Sequence, residues 1–336
     1  MDDNWLQLPE EACFDVQVLV NDGKRLLFLT SDESLAAEVV DGKLAWGAAP
    51  DFPSLPESCS DSVWSNGVVI VSSPDSQKIF ELKEGAEEAL VLAGSGDNGM
   101  EDGIGQKASF SSPTGLELDG EGNLLILDSK AVRSMNLETN EVSTIFRLDD
   151  IEKPHGYKWD HNCIGYREGN VLLLLHPLDE DEDDDEEETA QQAGEDDEED
   201  GSNGEEAEDE RSFRLVTVSR QGQVLHTTAP FKYEEDYDEV WEFVPNSLTM
   251  DENREVAYVS ILDVEACNSM DTVFAIPPFS EAEEMPISAD DQLTMPSFLT
   301  PHPDGSCFVM INTGTTLAYC SKLEQPSAPK AAISGD

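Results

Sequence analysis

The chain has 336 residues, with 73 acidic against 19 basic side chains, so its formal net charge at pH 7 is −54. This charge repels the phosphate backbone of nucleic acids, and the sequence has no sizeable basic cluster to overcome the repulsion. Hydrophobic residues make up 38% of the chain, enough for a core, and no apolar run approaches the roughly 20 residues of a membrane span. We therefore expect a folded protein that binds neither nucleic acid nor membrane and favours basic partners.

The N-terminal sequence and the cysteines indicate the compartment. Met1-Asp2-Asp3-Asn4-Trp5 is acidic and lacks the apolar segment of a signal peptide. The six cysteines form no Cys-x-x-Cys pair, and several, such as Cys307, lie in apolar strand-like runs, which favours reduced and buried thiols. These features predict a cytoplasmic or nuclear protein.

A turn followed by a short apolar run recurs along the chain. Each such pair predicts a tight turn that leads into a strand covered on both faces. The apolar runs lie at 25–30, 68–72, 124–129, 171–175, 256–260 and 307–311. Their turns are spaced by 44 to about 55 residues once an acidic run in the fourth interval is set aside. This period is typical of propeller blades, so the sequence predicts an all-β, six-bladed β-propeller of four-stranded antiparallel blades.

The third unit shows every strand of such a blade. Its predicted strands are Pro113–Asp119, Leu124–Ser129, Ala131–Met135 and Val142–Ile145. The first two are joined by Gly120-Glu121-Gly122-Asn123, in which glycine permits the positive φ of a tight turn. Short β-rich runs separated by turn residues are typical of a four-stranded antiparallel sheet.

The segment from Leu92 to Thr144 resembles the NHL repeat. The resemblance is carried by Ala93-Gly94-Ser95-Gly96, Gly99, Asp102-Gly103, Gly105, Ala108, Phe110, Pro113, Gly115-Leu116, Asp119, Gly122-Asn123-Leu124, Asp128, Val132-Arg133 and Val142-Ser143-Thr144. The Asp-x-x-Asn-x-x-Ile-Arg segment of the family is here Asp128-Ser129-Lys130-Ala131-Val132-Arg133, two residues shorter and without the asparagine. The other five units keep only the turn-plus-strand outline. The resemblance implies an NHL-type propeller, a family whose members bind proteins or RNA and whose relatives include enzymes.

The last unit contains only three predicted strands, Pro296–Leu299, Cys307–Ile311 and Thr316–Tyr319. We expect Trp5-Leu6-Gln7-Leu8 to supply the fourth strand, which would seal the ring and cover two sheet edges. The sequence thus predicts a single propeller domain over residues 1–323, followed by a flexible Pro/Ala/Ser tail over 324–336.

Residues 179–210 hold 21 acidic side chains and no basic one. Like charges at this density cannot form a core, so we predict a disordered insertion within the fourth blade. Its densest part is Asp183, Asp184, Asp185, Glu186 and Glu187. Two interpretations are open: a solubilising insertion, or a tether for basic proteins such as histones or ribosomal proteins.

A second acidic segment, 231–243, contains interleaved aromatic residues. Aromatic side chains supply contact area and acidic side chains steer basic partners, which makes this segment a candidate partner surface. The candidate contact residues are Tyr233, Tyr237, Trp241, Asp236 and Glu239. The competing interpretation is a connector between blades whose aromatic rings pack inward.

Two glycine- and acid-rich motifs resemble ligand-binding loops, but each also fits an ordinary connecting loop. Gly94–Gly99 fits G-x-G-x-x-G, but the glycine-rich residues that follow cannot open the helix of a phosphate-binding loop, which favours a connection between blades. Asp97, Asn98 and Asp102 offer oxygen ligands for Ca²⁺, although their spacing does not match an EF-hand loop.

The candidate metal or acid–base residues are His155, Asp160 and His161, which lie close to Cys163. Their spacing matches no zinc pattern, and neither G-x-S-x-G nor H-E-x-x-H is present, so ordinary loop histidines are the competing interpretation. The sequence favours a monomeric, non-enzymatic scaffold that binds proteins and needs no cofactor. The alternative is a metal-dependent propeller hydrolase or lyase, which requires these three side chains to converge at the central channel.

Overall fold

A computed structural model describes residues 5–7, 18–30, 34–41, 43–178, 212–232, 243–251, 256–263, 272–276, 283–284, 298–301, 307–311 and 316–320. The regular structure of these segments is β-strand, apart from two 3-10 turns at Gly105–Lys107 and Leu148–Asp150. No helix in these segments has the length and apolar character needed to cross a membrane. The prediction of an all-β chain is therefore confirmed for the part that the structure describes.

The strands are numbered in chain order. Those of the first half are β1 (Trp5–Gln7), β2 (Val18–Asn21), β3 (Arg25–Leu29), β4 (Ser34–Val40), β5 (Lys43–Trp46), β6 (Ser62–Ser65), β7 (Val68–Ser73), β8 (Lys78–Lys83), β9 (Leu90–Ala93), β10 (Gly103–Ile104), β11 (Pro113–Leu118), β12 (Asn123–Asp128), β13 (Ala131–Asn136) and β14 (Glu141–Arg147). Those of the second half are β15 (Tyr157–Arg167), β16 (Asn170–Pro177), β17 (Ser212–Ser219), β18 (Val224–Thr227), β19 (Phe231–Lys232), β20 (Phe243–Asp251), β21 (Val256–Asp263), β22 (Thr272–Ile276), β23 (Glu283–Glu284), β24 (Phe298–Pro301), β25 (Cys307–Ile311) and β26 (Thr316–Cys320).

The described strands form antiparallel sheets, each built around four strands. Sheet 1 is β2-β3-β4-β5, sheet 2 is β6-β7-β8-β9, sheet 3 is β11-β12-β13-β14, sheet 4 is β15-β16-β17-β18, sheet 5 is β20-β21-β22-β23 and sheet 6 is β24-β25-β26-β1. Sheet 3 gains β10 beside β14, and in sheet 4 β19 pairs with β17. The predicted four-stranded antiparallel units are confirmed.

Sheet 6 combines strands from the two ends of the described chain. β1 pairs with β26, with Trp5 opposite Ala318 and Gln7 opposite Thr316. The three C-terminal strands of this sheet cannot satisfy the backbone groups of β26 alone, and β1 provides the missing partner. The prediction that the N-terminal segment supplies the fourth strand of the last sheet is therefore confirmed.

Successive sheets from sheet 1 to sheet 6 contact one another through their first strands. β2 contacts β6, β6 contacts β11, β11 contacts β15, β15 contacts β20 and β20 contacts β24. Sheet 6 contacts sheet 1 through β1 and β26, which both lie against β5. We call the surface lined by these first strands the inner edge.

The core lies between neighbouring sheets, and β12 shows why its sequence is continuously apolar. Leu124 and Ile126 pack into the cluster shared with sheet 2, while Leu125 and Leu127 pack into the cluster shared with sheet 4. Successive side chains of a strand point to opposite faces, so a sheet covered on both faces buries every residue of its second strand. The second strands β3, β7 and β16 are buried in the same way.

Candidate functional site

The candidate residues of the two acidic segments lie outside the described residues. This applies to Asp183, Asp184, Asp185, Glu186 and Glu187 and to Tyr233, Asp236, Tyr237, Glu239 and Trp241. The strands that flank them are described. β16 pairs with β17, so residues 179–211 connect the second and third strands of sheet 4. Ser212, at the start of β17, lies opposite Lys232, at the end of β19. The C-terminal end of the first acidic segment and the N-terminal end of the second are therefore attached to sheet 4 side by side.

Strand β15 places the candidate metal ligands. Its register shifts between Trp159 and Ile164, and the bulge carries Asp160 and His161. The buried Asp160 accepts the backbone N–H groups of Asn162 at 3.0 Å and Cys163 at 2.7 Å, so its carboxylate shapes the bulge. Burial raises the pKa of Asp160 despite these hydrogen bonds.

The histidines do not join this carboxylate in a metal centre. Both His155 and His161 are exposed. Among the residues that the structure describes, no group of three or more His, Cys, Asp and Glu side chains is placed to hold a metal ion. The convergence that the hydrolase or lyase alternative requires is absent from this part of the chain.

A polar seam joins sheets 2, 3 and 4 at the inner edge. Asp61 directly precedes β6, and its carboxylate accepts the N–H of Leu116 on β11 at 2.7 Å. Ser72 on β7 donates its hydroxyl to the carbonyl of Thr114 at 2.6 Å, and the Thr114 hydroxyl donates to the carbonyl of His161. The seam therefore links three sheets through hydrogen bonds from side chains to backbone.

Two groups at the seam have raised pKa values, the partly buried Asp61 and the buried Cys163. Burial raises the pKa of Asp61 to about 7, although hydrogen bonds from Leu116 and Ser62 favour its charged form. Burial also raises the pKa of the Cys163 thiol well above its usual value, and the nearby carboxylates Asp160 and Asp61 raise it further. Cys163 is thus a free, protonated thiol with little nucleophilic character.

The glycine-rich segment after β9 is a connection that wraps onto sheet 3. It opens no phosphate-binding helix, because only the three-residue 3-10 turn Gly105–Lys107 follows it. Part of it becomes β10, whose Ile104 lies opposite Glu141. The sequence did not predict this short strand. Of the candidate Ca²⁺ ligands, Asp102 accepts hydrogen bonds from Arg133 and Thr144, the Asn98 side chain donates to the carbonyl of Ser111, and Asp97 is exposed.

Arg133 fastens this connection. Its side chain is completely buried and forms ion pairs at 3.0 Å with Asp128, also completely buried, and with the half-exposed Asp102. It donates as well to the carbonyls of Ser109 at 3.2 Å and Glu101 at 3.1 Å. We call this group the Arg133 clasp, and its role is structural.

An acidic excess extends over the described surface. Residues 43–178, the longest continuous described stretch, hold 22 acidic and 10 basic side chains, a net charge of −12. Most of these acids are exposed and, among them, Glu84, Glu87 and Glu88 lie in one short loop. The negative charge of the protein is therefore not confined to the acidic run at 179–210.

Comparisons with known proteins support the fold and leave the function open. No protein-family model and no curated protein matches this chain. The solved structure of a putative gluconolactonase is 13% identical over 95% of this chain and 92% of that chain, with a TM-score of 0.51. The structure of YCF48 bound to D1 peptide is 10% identical over 91% of this chain and 77% of that chain, with a TM-score of 0.46.

A protein of unknown function from Bacteroides thetaiotaomicron is 17% identical over 47% of this chain, with a TM-score of 0.37. The match covers 44% of that protein, so this chain spans less than half of its length. The solved structures that resemble this chain are β-propellers, and the chain has the β-propeller fold. They include enzymes and protein-binding scaffolds alike.

Asp61 is not recognisable from the sequence as a residue that joins two sheets. It stands in the polar, turn-rich run Glu57–Asp61, where an aspartate ordinarily indicates a solvent-exposed loop. Its only sequence signal is its position directly before a first strand. That signal gains meaning only when the contacts of β6 with β11 are known.

Proposed function

We propose that this chain is a six-bladed, NHL-type β-propeller that acts as a non-enzymatic scaffold for basic protein partners. Six four-stranded sheets with first strands in successive contact, and the return contact of sheet 6 with sheet 1, support six blades. The repeat-like segment from Leu92 to Thr144, which builds β10 to β14, supports the NHL assignment. We further propose that the protein acts in the cytoplasm or nucleus as a monomer.

The distribution of charge is the observation that carries the proposal. Acidic side chains outnumber basic ones both in the described stretch 43–178 and in the run 179–210. Such a surface attracts basic proteins over long range and repels nucleic acids. Because residues 179–211 connect two paired strands, both of their ends are fixed to sheet 4. A partner held by the acidic run is therefore kept at a high local concentration beside the propeller.

The fold itself does not choose between scaffold and enzyme. The relative with a TM-score of 0.51 is described as a putative gluconolactonase, and YCF48 was solved with a bound peptide. The residues that the structure describes assemble no metal-binding group, and the desolvated Cys163 is not an activated nucleophile. The exposed positions of His155 and His161, beside a buried Asp160 whose carboxylate is engaged by backbone N–H groups, support the scaffold over the metal-dependent alternative.

The test is a direct binding measurement with purified core histones as the basic probe. We compare the intact protein with a variant in which every Asp and Glu of 179–210 is replaced by Asn and Gln. This variant keeps the length of the connection, so sheet 4 closes as before. We expect the affinity at 50 mM salt to fall at least about tenfold, because each lost carboxylate weakens the electrostatic attraction to the basic histones.

The salt dependence separates two outcomes. Intact protein should lose affinity steeply between 50 and 300 mM salt, and the neutralised variant should lose less. Equal affinity of both proteins would place recognition on the propeller itself. No histone binding by the intact protein at 50 mM salt would overturn the proposal of a scaffold for basic partners.

A further inference from the structure

The outer strand of each sheet is the strand that ends the sheet opposite the inner edge. These strands are β5, β9, β10, β18, β23 and β1. An outer strand presents backbone N–H and C=O groups that can pair with another chain, and proteins protect such strands with charged side chains or by covering them. The charges beside each outer strand therefore indicate which of them accepts a partner.

The described outer strands other than β18 are charged, flanked by charges or covered. β23 consists of two glutamates, and β10 begins directly after Asp102. β9 begins two residues after Glu88 and lies against the 3-10 turn Gly105–Lys107. β5 begins with Lys43, and β1 lies against it. Each of these strands thus has a feature that opposes pairing with another chain.

Strand β18 (Val224–Thr227) lacks such protection. The stretch 221–231 around it contains no Asp, Glu, Lys or Arg, although charged residues make up 27% of the chain. Val224 is 36% exposed and Leu225 is 47% exposed. Among the described strands, β18 pairs with β17 on one side and with none on the other. It is therefore an uncharged outer strand with apolar side chains at the surface.

The backbone of β18 offers hydrogen bonds on its outer side. The N–H of Thr228, directly after β18, donates to the carbonyl of Leu215 on β17 at 3.0 Å. In an antiparallel pair, the backbone groups of successive residues point alternately towards the partner strand and away from it. The N–H and carbonyl of Thr227 therefore point away from β17, to the side where an added strand would lie.

The charges next to β17 determine which partner fits this strand. Residues 179–210 hold 21 acidic side chains, residues 233–242 hold six, and neither segment holds a basic one. Both segments are attached to sheet 4 where Ser212 on β17 lies opposite Lys232. A second copy of the chain brings the same net charge of −54 and is repelled, whereas a basic segment is attracted.

We propose that β18 is the docking edge for an extended segment of a basic partner protein, which adds to sheet 4 as a further strand. Backbone hydrogen bonds to β18 supply affinity, and Val224 and Leu225 contact apolar side chains of the segment. Lysine and arginine residues that flank the segment are attracted by the acidic residues attached beside β17. This inference rests on the proposed function, because it names the place at which the basic partner of the scaffold docks.

The first test measures the binding of a synthetic peptide of alternating valine and threonine that ends in a run of lysines. Leu225→Lys is compared with Leu90→Lys, the matched control, because Leu90 is an exposed leucine on the outer strand β9. Both variants change the net charge equally, but only L225K places a charge on β18. By fluorescence anisotropy at 50 mM salt, the affinity should fall at least about tenfold for L225K and less than about twofold for L90K.

A second measurement uses the wild type alone and does not depend on the folding of a variant. The amide of Thr227 should exchange with deuterium at least about tenfold more slowly when the peptide is bound at saturation, because the added strand accepts its hydrogen bond. The amide of the exposed Asn66, in the turn between β6 and β7, should exchange at the same rate with and without the peptide.

Three results would overturn the β18 site: equal peptide affinity of L225K and L90K, no peptide binding by the wild type, or a Thr227 amide that the peptide does not protect. Protection of Thr227 that rises with protein concentration in the absence of peptide would show a second copy on this edge and would overturn it as well. The histone measurement with the wild type is independent of these results. Failure of the β18 site is therefore distinguishable from failure of the scaffold.

Discussion

Arg133→Met should destabilise the protein by about 3–5 kcal/mol, the largest effect that we expect from any single substitution in the described residues. Methionine fills much of the space of the arginine stem but leaves the Asp128 carboxylate buried without its cation. It also leaves the carbonyls of Ser109 and Glu101 without the guanidinium donors. Urea denaturation followed by circular dichroism measures the loss.

Two companion variants show whether the ion pair is responsible. Arg147→Met removes an exposed arginine from the neighbouring strand β14 and should change the free energy of unfolding by less than about 0.5 kcal/mol. The double variant R133M/D128N removes the uncompensated charge and should be more stable than R133M alone. If R133M is no less stable than R147M, the Arg133 clasp does not hold the connection to sheet 3.

Gly115→Ala should destabilise the protein by about 3 kcal/mol through the contact of β11 with β15. A Cβ atom at this position would lie 2.7 Å from the carbonyl oxygen of Asn162 and 3.0 Å from Cγ2 of Ile164. The oxygen belongs to the backbone of the bulge and cannot move without displacing β15. Thermal unfolding measures the loss.

Gly165→Ala is the matched control on the neighbouring first strand. Its Cβ would meet the side chains of Leu248 at 3.3 Å and Leu172 at 3.4 Å, which can shift by a few tenths of an ångström. We expect a loss of less than about 1 kcal/mol. Equal losses for G115A and G165A would show that sheets 3 and 4 can separate at the inner edge without penalty.

The second strand of each sheet was predictable because a strand buried on both faces needs an apolar residue at every position, which gives an uninterrupted apolar run in the sequence. Leu124–Leu127 and Val171–Leu175 are bounded by turn residues, and the structure places them in β12 and β16. The strand that completes sheet 6 was predictable for another reason. A last unit with three strands leaves one edge without a partner, and Trp5–Gln7 is an apolar run with no sheet of its own.

The connections and the inner edge were not predictable in the same way. A two-residue strand such as β10 has no periodicity, so Gly103–Ile104 is indistinguishable from a loop. Arg133 stands in the middle of a β-rich run, where a charged residue ordinarily indicates a solvent-facing position. In the structure its side chain is completely buried, and its charge is compensated by ion pairs with Asp128 and Asp102.

The sequence pattern correctly singled out Asp160, but it predicted a metal-binding or acid–base role where the structure shows a role in shaping the backbone. Its neighbours His155, His161 and Cys163 favoured a ligand set. In the structure its oxygen accepts the backbone N–H groups of the β15 bulge. Whether an aspartate binds a ligand or backbone depends on the local register, and a bulge has no sequence signature.

The pairing of Trp5 with Ala318 constrains the order in which the protein is made and folded. More than 300 residues separate the two partners, so β1 leaves the ribosome long before β26 exists. Sheet 6 cannot form until synthesis has passed Cys320, and sheet 1 lacks its neighbour until then. Bringing such distant segments together is slow, although the entropy of closing the chain grows only logarithmically with its length. Until β26 has been translated, β1 has no partner within the chain and its unpaired backbone groups can pair with another molecule. We expect the sheets that form earlier to reduce this intermolecular pairing.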